Sequence, residues 1–172
     1  MKKIALIYAA NSDKTALVAK KIQKELGDAV EVVSVENAWQ NDFEAYDHLI
    51  VGASTWFDGE LPTYWDELLP ELRTLQLKGK KVAIFGLGDQ AKYPDNFVDG
   101  MGILADVFEE DGATLVGFTS TEGYKFNKSR ALRGNQWCGL VIDLDNQAEL
   151  TDKKKQNPHR WFFQRKQIVI KL

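Results

Sequence analysis

The stretch Ala10-Asn11-Ser12-Asp13-Lys14-Thr15 lies between an apolar run, Ile4 to Tyr8, and residues that recur at helical spacing, Leu17, Val18, Lys21, Ile22 and Leu26. Short polar side chains at such a junction can cap a helix, and the amides and hydroxyls of a helix N-terminus favour an anion. Two readings stay open, a phosphate site or a cap with no ligand. Two other loops carry aromatic residues among turn formers: Ser54-Thr55-Trp56-Phe57-Asp58-Gly59-Glu60-Leu61-Pro62, and Gly86-Leu87-Gly88-Asp89-Gln90 running on through Tyr93-Pro94 to Asn96-Phe97. A planar ligand clamped between Trp56 and Tyr93 accounts for both, because offset stacking contributes roughly 0.5 to 1.5 kcal/mol beyond area burial. The alternative is that each ring packs on its own loop. No substrate-binding acid, base or nucleophile is evident beside these aromatics, which favours a carrier over a catalyst. Cys138, between Trp137 and Gly139, reads as a small buried hydrophobe, and His48 and His159 are too separate to suggest a metal.

These loops need elements to hold them. Apolar or β-branched runs at Ile4–Tyr8, Ala29–Val35, His48–Ala53 and Lys81–Gly86 read as strands. A fifth begins at Ala113 to Phe118, breaks off into a polar, Gly-containing segment, and resumes at Leu140 to Asp143. Between the strands lie helical stripes, Tyr64, Leu68, Leu69 and Leu72 in one, and Phe97, Met101, Leu104, Ala105 and Phe108 in another. Strands alternating with helices predict a three-layer, doubly wound α/β fold with a five-stranded parallel sheet and an insertion in its fifth strand. Ligands of such sheets bind beyond the carboxyl ends of the strands, where the winding reverses, and that is where the polar and aromatic loops fall.

The 172 residues suit one domain, and a hydrophobic fraction of 44% with 27% charged residues excludes a disordered chain. No run approaches the 20 or so apolar residues of a membrane span, and no signal-peptide pattern precedes the first strand, so a cytoplasmic protein without membrane contact is expected. Residues 151–172 carry seven Lys and Arg against one Asp, a local +6, which leaves −9 on the rest of a chain whose net charge is −3. An acidic body disfavours nucleic acid and attracts a basic protein.

Three motifs then resemble a known family: Thr55-Trp56 with Gly59-Glu60-Leu61; Gly86-Leu87-Gly88-Asp89-Gln90 with Tyr93-Pro94 and Asn96-Phe97; and Asp143-Leu144-Asp145-Asn146-Gln147. Over nearly all of residues 1–150 the chain is similar to the long-chain flavodoxins. The resemblance implies the strand order 2-1-3-4-5 and a long-chain insertion in the fifth strand. It implies a monomeric one-electron carrier holding FMN non-covalently, fed by an NAD(P)H-dependent flavodoxin reductase and serving acceptor redox proteins. Carried over by position, Trp56 and Tyr93 cover the two faces of the isoalloxazine. Backbone around Phe57, Asp58 and Gly59 and from Gly88 and Asp89 to Asn96 meets its polar edge. Thr55 belongs to the same loop, Asp145 lies near the ribityl chain, and the phosphate falls on Ala10 to Thr15. An FMN-dependent quinone or nitro reductase is the enzyme alternative, and a family member with weakened or lost FMN binding, acting as an interaction module, is a second.

The chain departs from the family pattern in two places. Ala10 removes a hydroxyl and Asp13 stands where the family has Gly, so weaker FMN binding is expected unless Asp13 points outward or pairs with Lys14. The basic segment 151–172 replaces the family's amphipathic ending, with a helix expected after Asn157-Pro158. A receiver domain shares this topology but is excluded because Ala53 and Ser54 stand where an acidic phosphoacceptor is needed, and no P-loop signature is present.

Overall fold

A computed structural model describes residues 4–147. The expected ending, with its basic charge, His159 and the helix after Pro158, lies outside the described residues. The sheet is parallel and ordered β2-β1-β3-β4-β5, built from β1 (Ile4–Tyr8), β2 (Val30–Ser34), β3 (His48–Ser54), β4 (Lys81–Leu87) and β5 (Thr114–Val116). The central strands are apolar on both faces because helices cover both. Ala5, Leu6, Ile7, Val51, Val82, Ile84 and Phe85 are all fully buried.

On one face α1 (Asp13–Leu26) packs Ala16, Val18, Ala19 and Ile22 against Leu6, Ile50 and Phe85. On the other, α2 (Gln40–Glu44), α3 (Thr63–Leu72) and α4 (Asp99–Glu110) bring Phe43, Trp65 and Phe108 together. Two expected stripes are corrected by register. In α1, Leu17 is exposed, Lys21 faces water as well, and Thr15 takes an inward position. In α3 the inward residue is Trp65 rather than Tyr64, because the Trp65 indole donates to the Gly52 carbonyl at 3.1 Å. That bond supplies the partner a buried indole N–H needs. The α4 stripe is as expected, with Phe97, Met101, Leu104, Ala105 and Phe108 fully buried.

The fifth strand is split as the sequence predicts. β5 pairs with Lys81–Ala83 of β4, and β9 (Leu140–Ile142) pairs with Phe85–Leu87. Between them β6 (Thr119–Ser120), β7 (Leu132–Arg133) and β8 (Gln136–Trp137) form a small antiparallel sheet ordered β6-β8-β7. The insertion is fastened to α4, where Arg133 pairs with Asp106 and Glu109 at 2.7 Å each and Arg130 pairs with Asp106 at 2.9 Å. Beneath it Phe97, Tyr124, Phe126 and Trp137 pack ring against ring. Cys138 is fully buried, and burial pushes its thiol up to about 12, which leaves it unreactive.

Candidate functional site

The loops after β1, β3, β4 and β9 gather at the carboxyl edge of the sheet, and each holds residues singled out above. After β1, Ser12 is the N-cap of α1 and makes no side-chain cap hydrogen bond. The amides of Asp13, Lys14 and Thr15 form the first turn, which lies too early in the helix for intrahelical acceptors. Thr15 is almost fully buried, and its hydroxyl lies 3.0 Å from that of Ser12. Two hydroxyls and a turn of uncapped amides at the start of a 14-residue helix make an anion cradle.

The remaining amides of this loop already have an anion. Ala10 and Asn11 donate their N–H groups to the Glu36 carboxylate at 3.3 and 3.1 Å, and the Ser34 hydroxyl donates to it too. Burial pushes the Glu36 carboxyl up, but the donors outweigh it and hold the group below its usual range. Asp13 faces solvent. Of the two ways in which Asp13 would spare the phosphate, pointing outward holds and pairing with Lys14 does not: the Lys14 ammonium meets both oxygens of Asp145 at 2.7 Å, joining the first loop to the last.

After β3, Trp56 and Glu60 exchange backbone hydrogen bonds, so Phe57-Asp58-Gly59 forms a tight tip. Phe57 has φ 44°, a left-handed conformation that costs a non-glycine residue about 1 to 2 kcal/mol. Gly59 has φ 100°, a conformation that favours glycine, and a Cβ there would lie 2.8 Å from a carboxylate oxygen of Asp99, which would have to shift. The tip is tied to the next loop: Asn96 donates its side-chain amide to the Asp58 carbonyl at 2.9 Å, and the Gly100 N–H donates to the Thr55 hydroxyl at 3.1 Å. Asp99, beneath the tip, is pushed upward in pKa by burial, with the Arg130 N–H partly offsetting it.

After β4, the Gly88 N–H reaches the Ile142 carbonyl at 3.2 Å, and Asp89 accepts from the Ala91 and Lys92 amides and from Asn146. Burial works against the Asp89 charge, but these donors outweigh it and keep the carboxyl below its usual range. Trp56 is 41% exposed, Tyr93 46% and Phe57 71%, on loops of adjacent strands. Rings left this open serve no core. The Ser54 hydroxyl at the end of β3 is buried with no hydrogen-bond partner among the described residues. Exposed rings on two coupled loops, a strained tip, an orphaned hydroxyl and an anion cradle one strand away fit a planar aromatic ligand that carries a phosphate.

Glu36 escaped the sequence reading, and Gln90, Asp143 and Asn146 entered it only as motif residues without a structural role. Glu36 follows β2 and gives no sign in the chain that it reaches back 25 residues to a loop amide. Gln90 and Asn146 converge on Asp143, a carboxylate 1% exposed that accepts from the amide and side chain of Gln90 at 3.1 and 2.9 Å and from the backbone of Asp145 and Asn146. The polarity of Asp143 at the end of a buried strand was the available signal.

Known proteins place this arrangement. The model of the family described as flavodoxin matches residues 6–156. A flavodoxin from Synechococcus elongatus is 44% identical over 156 residues, 90% of this chain and 92% of that protein. One from Klebsiella pneumoniae is 38% identical across 99% of this chain and its own full length. Among solved structures, the Fusobacterium nucleatum flavodoxin bound to flavin mononucleotide superposes with a TM-score of 0.89 at 30% identity, covering 97% of this chain and 98% of its own. The chain belongs to the flavodoxin family of electron-transfer proteins.

Proposed function

We propose that this chain is a low-potential one-electron carrier that binds FMN non-covalently, with the phosphate on Ala10 to Thr15 and the ring between Trp56 and Tyr93. The observation that carries the reading is the pair of half-exposed rings on coupled loops beside an uncapped helix N-terminus. The Fusobacterium relative bound to flavin mononucleotide supports it.

When bound, FMN supplies reversible one-electron chemistry; the protein supplies its setting. Trp56 and Tyr93 would cover the ring and exclude water from it. The first-turn amides of α1 with the Ser12 and Thr15 hydroxyls would hold the phosphate. Phe57 to Gly59 and Gly88 to Asn96 would offer backbone groups to the ring's edge. Asp58, Glu60 and the ionised Asp89 oppose accumulation of negative charge in that slot, because charge repels charge most where water is scarce. A carrier whose reduced state is disfavoured in this way passes its electron on readily.

The acidic body, −9 outside residues 151–172, suits docking to basic faces of a reductase and of acceptor proteins. Among the described residues no helix is long and apolar enough to cross a membrane. We place the protein in the cytoplasm as a monomer without nucleic-acid partners, and take residues 1–172 as one domain ending in the basic segment.

Titration of the apoprotein with FMN, followed by visible absorption, is expected to show one saturable site. NADPH is expected to stay unoxidised until a flavodoxin reductase is added. A protein that binds no flavin overturns the reading, and NADPH oxidation without a reductase moves it to the quinone or nitro reductase class.

A further inference from the structure

We propose that Glu36 sets the ligand selectivity of the anion loop: its carboxylate occupies two of the loop's amide donors and places a fixed negative charge beside the phosphate position, so the site discriminates weakly between a phosphorylated flavin and riboflavin. The inference rests on the FMN reading of the loop. Its basis is the pair of hydrogen bonds from the Ala10 and Asn11 amides to the two Glu36 oxygens, together with the donation from Ser34.

The amides Glu36 leaves for a ligand, those of Asp13 to Thr15, begin two residues further on. Two residues of chain span at most about 7 Å, so an anion on those amides sits within about a Debye length of the carboxylate and feels its charge. Unit charges 4 Å apart repel by about 1 kcal/mol even in water, and a dianion roughly doubles that. The loop's cations do not compensate, since the Lys14 ammonium is held by both oxygens of Asp145. The carboxylate thus does two things: it holds the loop in its binding shape without ligand, and it limits how much a phosphate adds to affinity. The isoalloxazine and ribityl groups, which carry no charge, are indifferent to it.

The test compares Kd for FMN and for riboflavin in the wild type, in Glu36→Gln and in Glu67→Gln, the last an exposed α3 residue that controls for net charge. Glu36→Gln removes the charge and keeps one of the two acceptor oxygens, so it also releases part of the loop's amide donors to a ligand. It is expected to tighten FMN about tenfold, the equivalent of 1.4 kcal/mol, while riboflavin affinity and the Glu67→Gln values stay as in the wild type. Equal changes for both flavins, no change, or weaker FMN binding overturns the inference. A second measurement needs no flavin: inorganic phosphate is expected to raise the Tm of apo Glu36→Gln more than that of the apo wild type, and equal shifts overturn the inference. Should neither flavin bind the wild type, the FMN reading fails, and the phosphate measurement still decides the role of Glu36.

Discussion

The side-chain amide of Asn96 donates to the backbone carbonyl of Asp58 at 2.9 Å, so the tip of the loop after β3 is held by the loop after β4. The turn's own backbone hydrogen bonds, between Trp56 and Glu60 and from the Gly59 N–H to the Trp56 carbonyl, close the base of the strained tip, where Phe57 has φ 44°, and the Asn96 bond is the one that reaches Asp58 from outside it. Removing the bond with Asn96→Ala frees the tip and spreads its conformations. A neutral hydrogen bond of this kind contributes about 0.5 to 1.5 kcal/mol, so FMN affinity is expected to fall about 2- to 12-fold. Calorimetric titration of the variant checks this, and proteolysis at the 57–59 tip is expected to quicken.

The exposed rings separate binding from stability. Trp56→Ala and Tyr93→Ala are each expected to weaken FMN by at least about 1 kcal/mol, fivefold or more, since a stacking face is lost. The apoprotein Tm is expected to move by no more than a degree or so, because exposed side chains contribute little to folding. A large fall in apo Tm would show that the rings serve the core instead.

Asp13→Gly is expected to act with opposite signs on the two forms. The acidic residue in the first turn of α1 stabilises the helix by about 0.3 to 1 kcal/mol, and glycine adds a comparable backbone cost. The apo variant is therefore less stable. With FMN the sign reverses, because a negative charge near the phosphate is removed, but Asp13 faces solvent, so Kd is expected to fall only about twofold. Differential scanning calorimetry with and without FMN reads both effects.

Asp111 gives a pH dependence. One of its oxygens is buried without a hydrogen-bond partner among the described residues, and its carboxyl is pushed up to about 6, chiefly by burial and then by Glu110, with Arg73 opposing. A pKa raised on folding means stability that is complete below about pH 4 and lost as pH rises through 6. Asp111→Asn removes that loss. It is expected to match the wild type near pH 4 and to exceed it at pH 8 by on the order of 1 kcal/mol, discounted for the group's partial exposure. Urea unfolding at the two pH values checks the difference.

Strand identity and the loops of the site could be read from the sequence because each rests on local signals, apolar runs, helical periods and turn residues, whereas the sheet order came only from the family resemblance. Trp65 and Tyr64 are neighbours in one apolar stretch, and only the carbonyl of Gly52 on another strand decides which turns inward. Leu17 likewise fits the helical period of α1, yet it faces water while Thr15 is buried. Glu36 and Asp143 act across gaps of 25 and 53 residues, so their roles follow from the fold and from no spacing in the chain.

The split fifth strand bears on solubility. A sheet must end somewhere, and an uninterrupted edge offers a row of free backbone groups to which another chain can add. Here the edge beside β4 is two three-residue pieces, β5 and β9, separated by residues 117–139. Gly139 lets that segment return so closely that a Cβ would lie 2.0 Å from the Ile84 carbonyl oxygen. No incoming strand finds a continuous template of more than three residues there, so the insertion guards this edge of the sheet against edge-to-edge pairing, while the opposite edge is the five-residue β2.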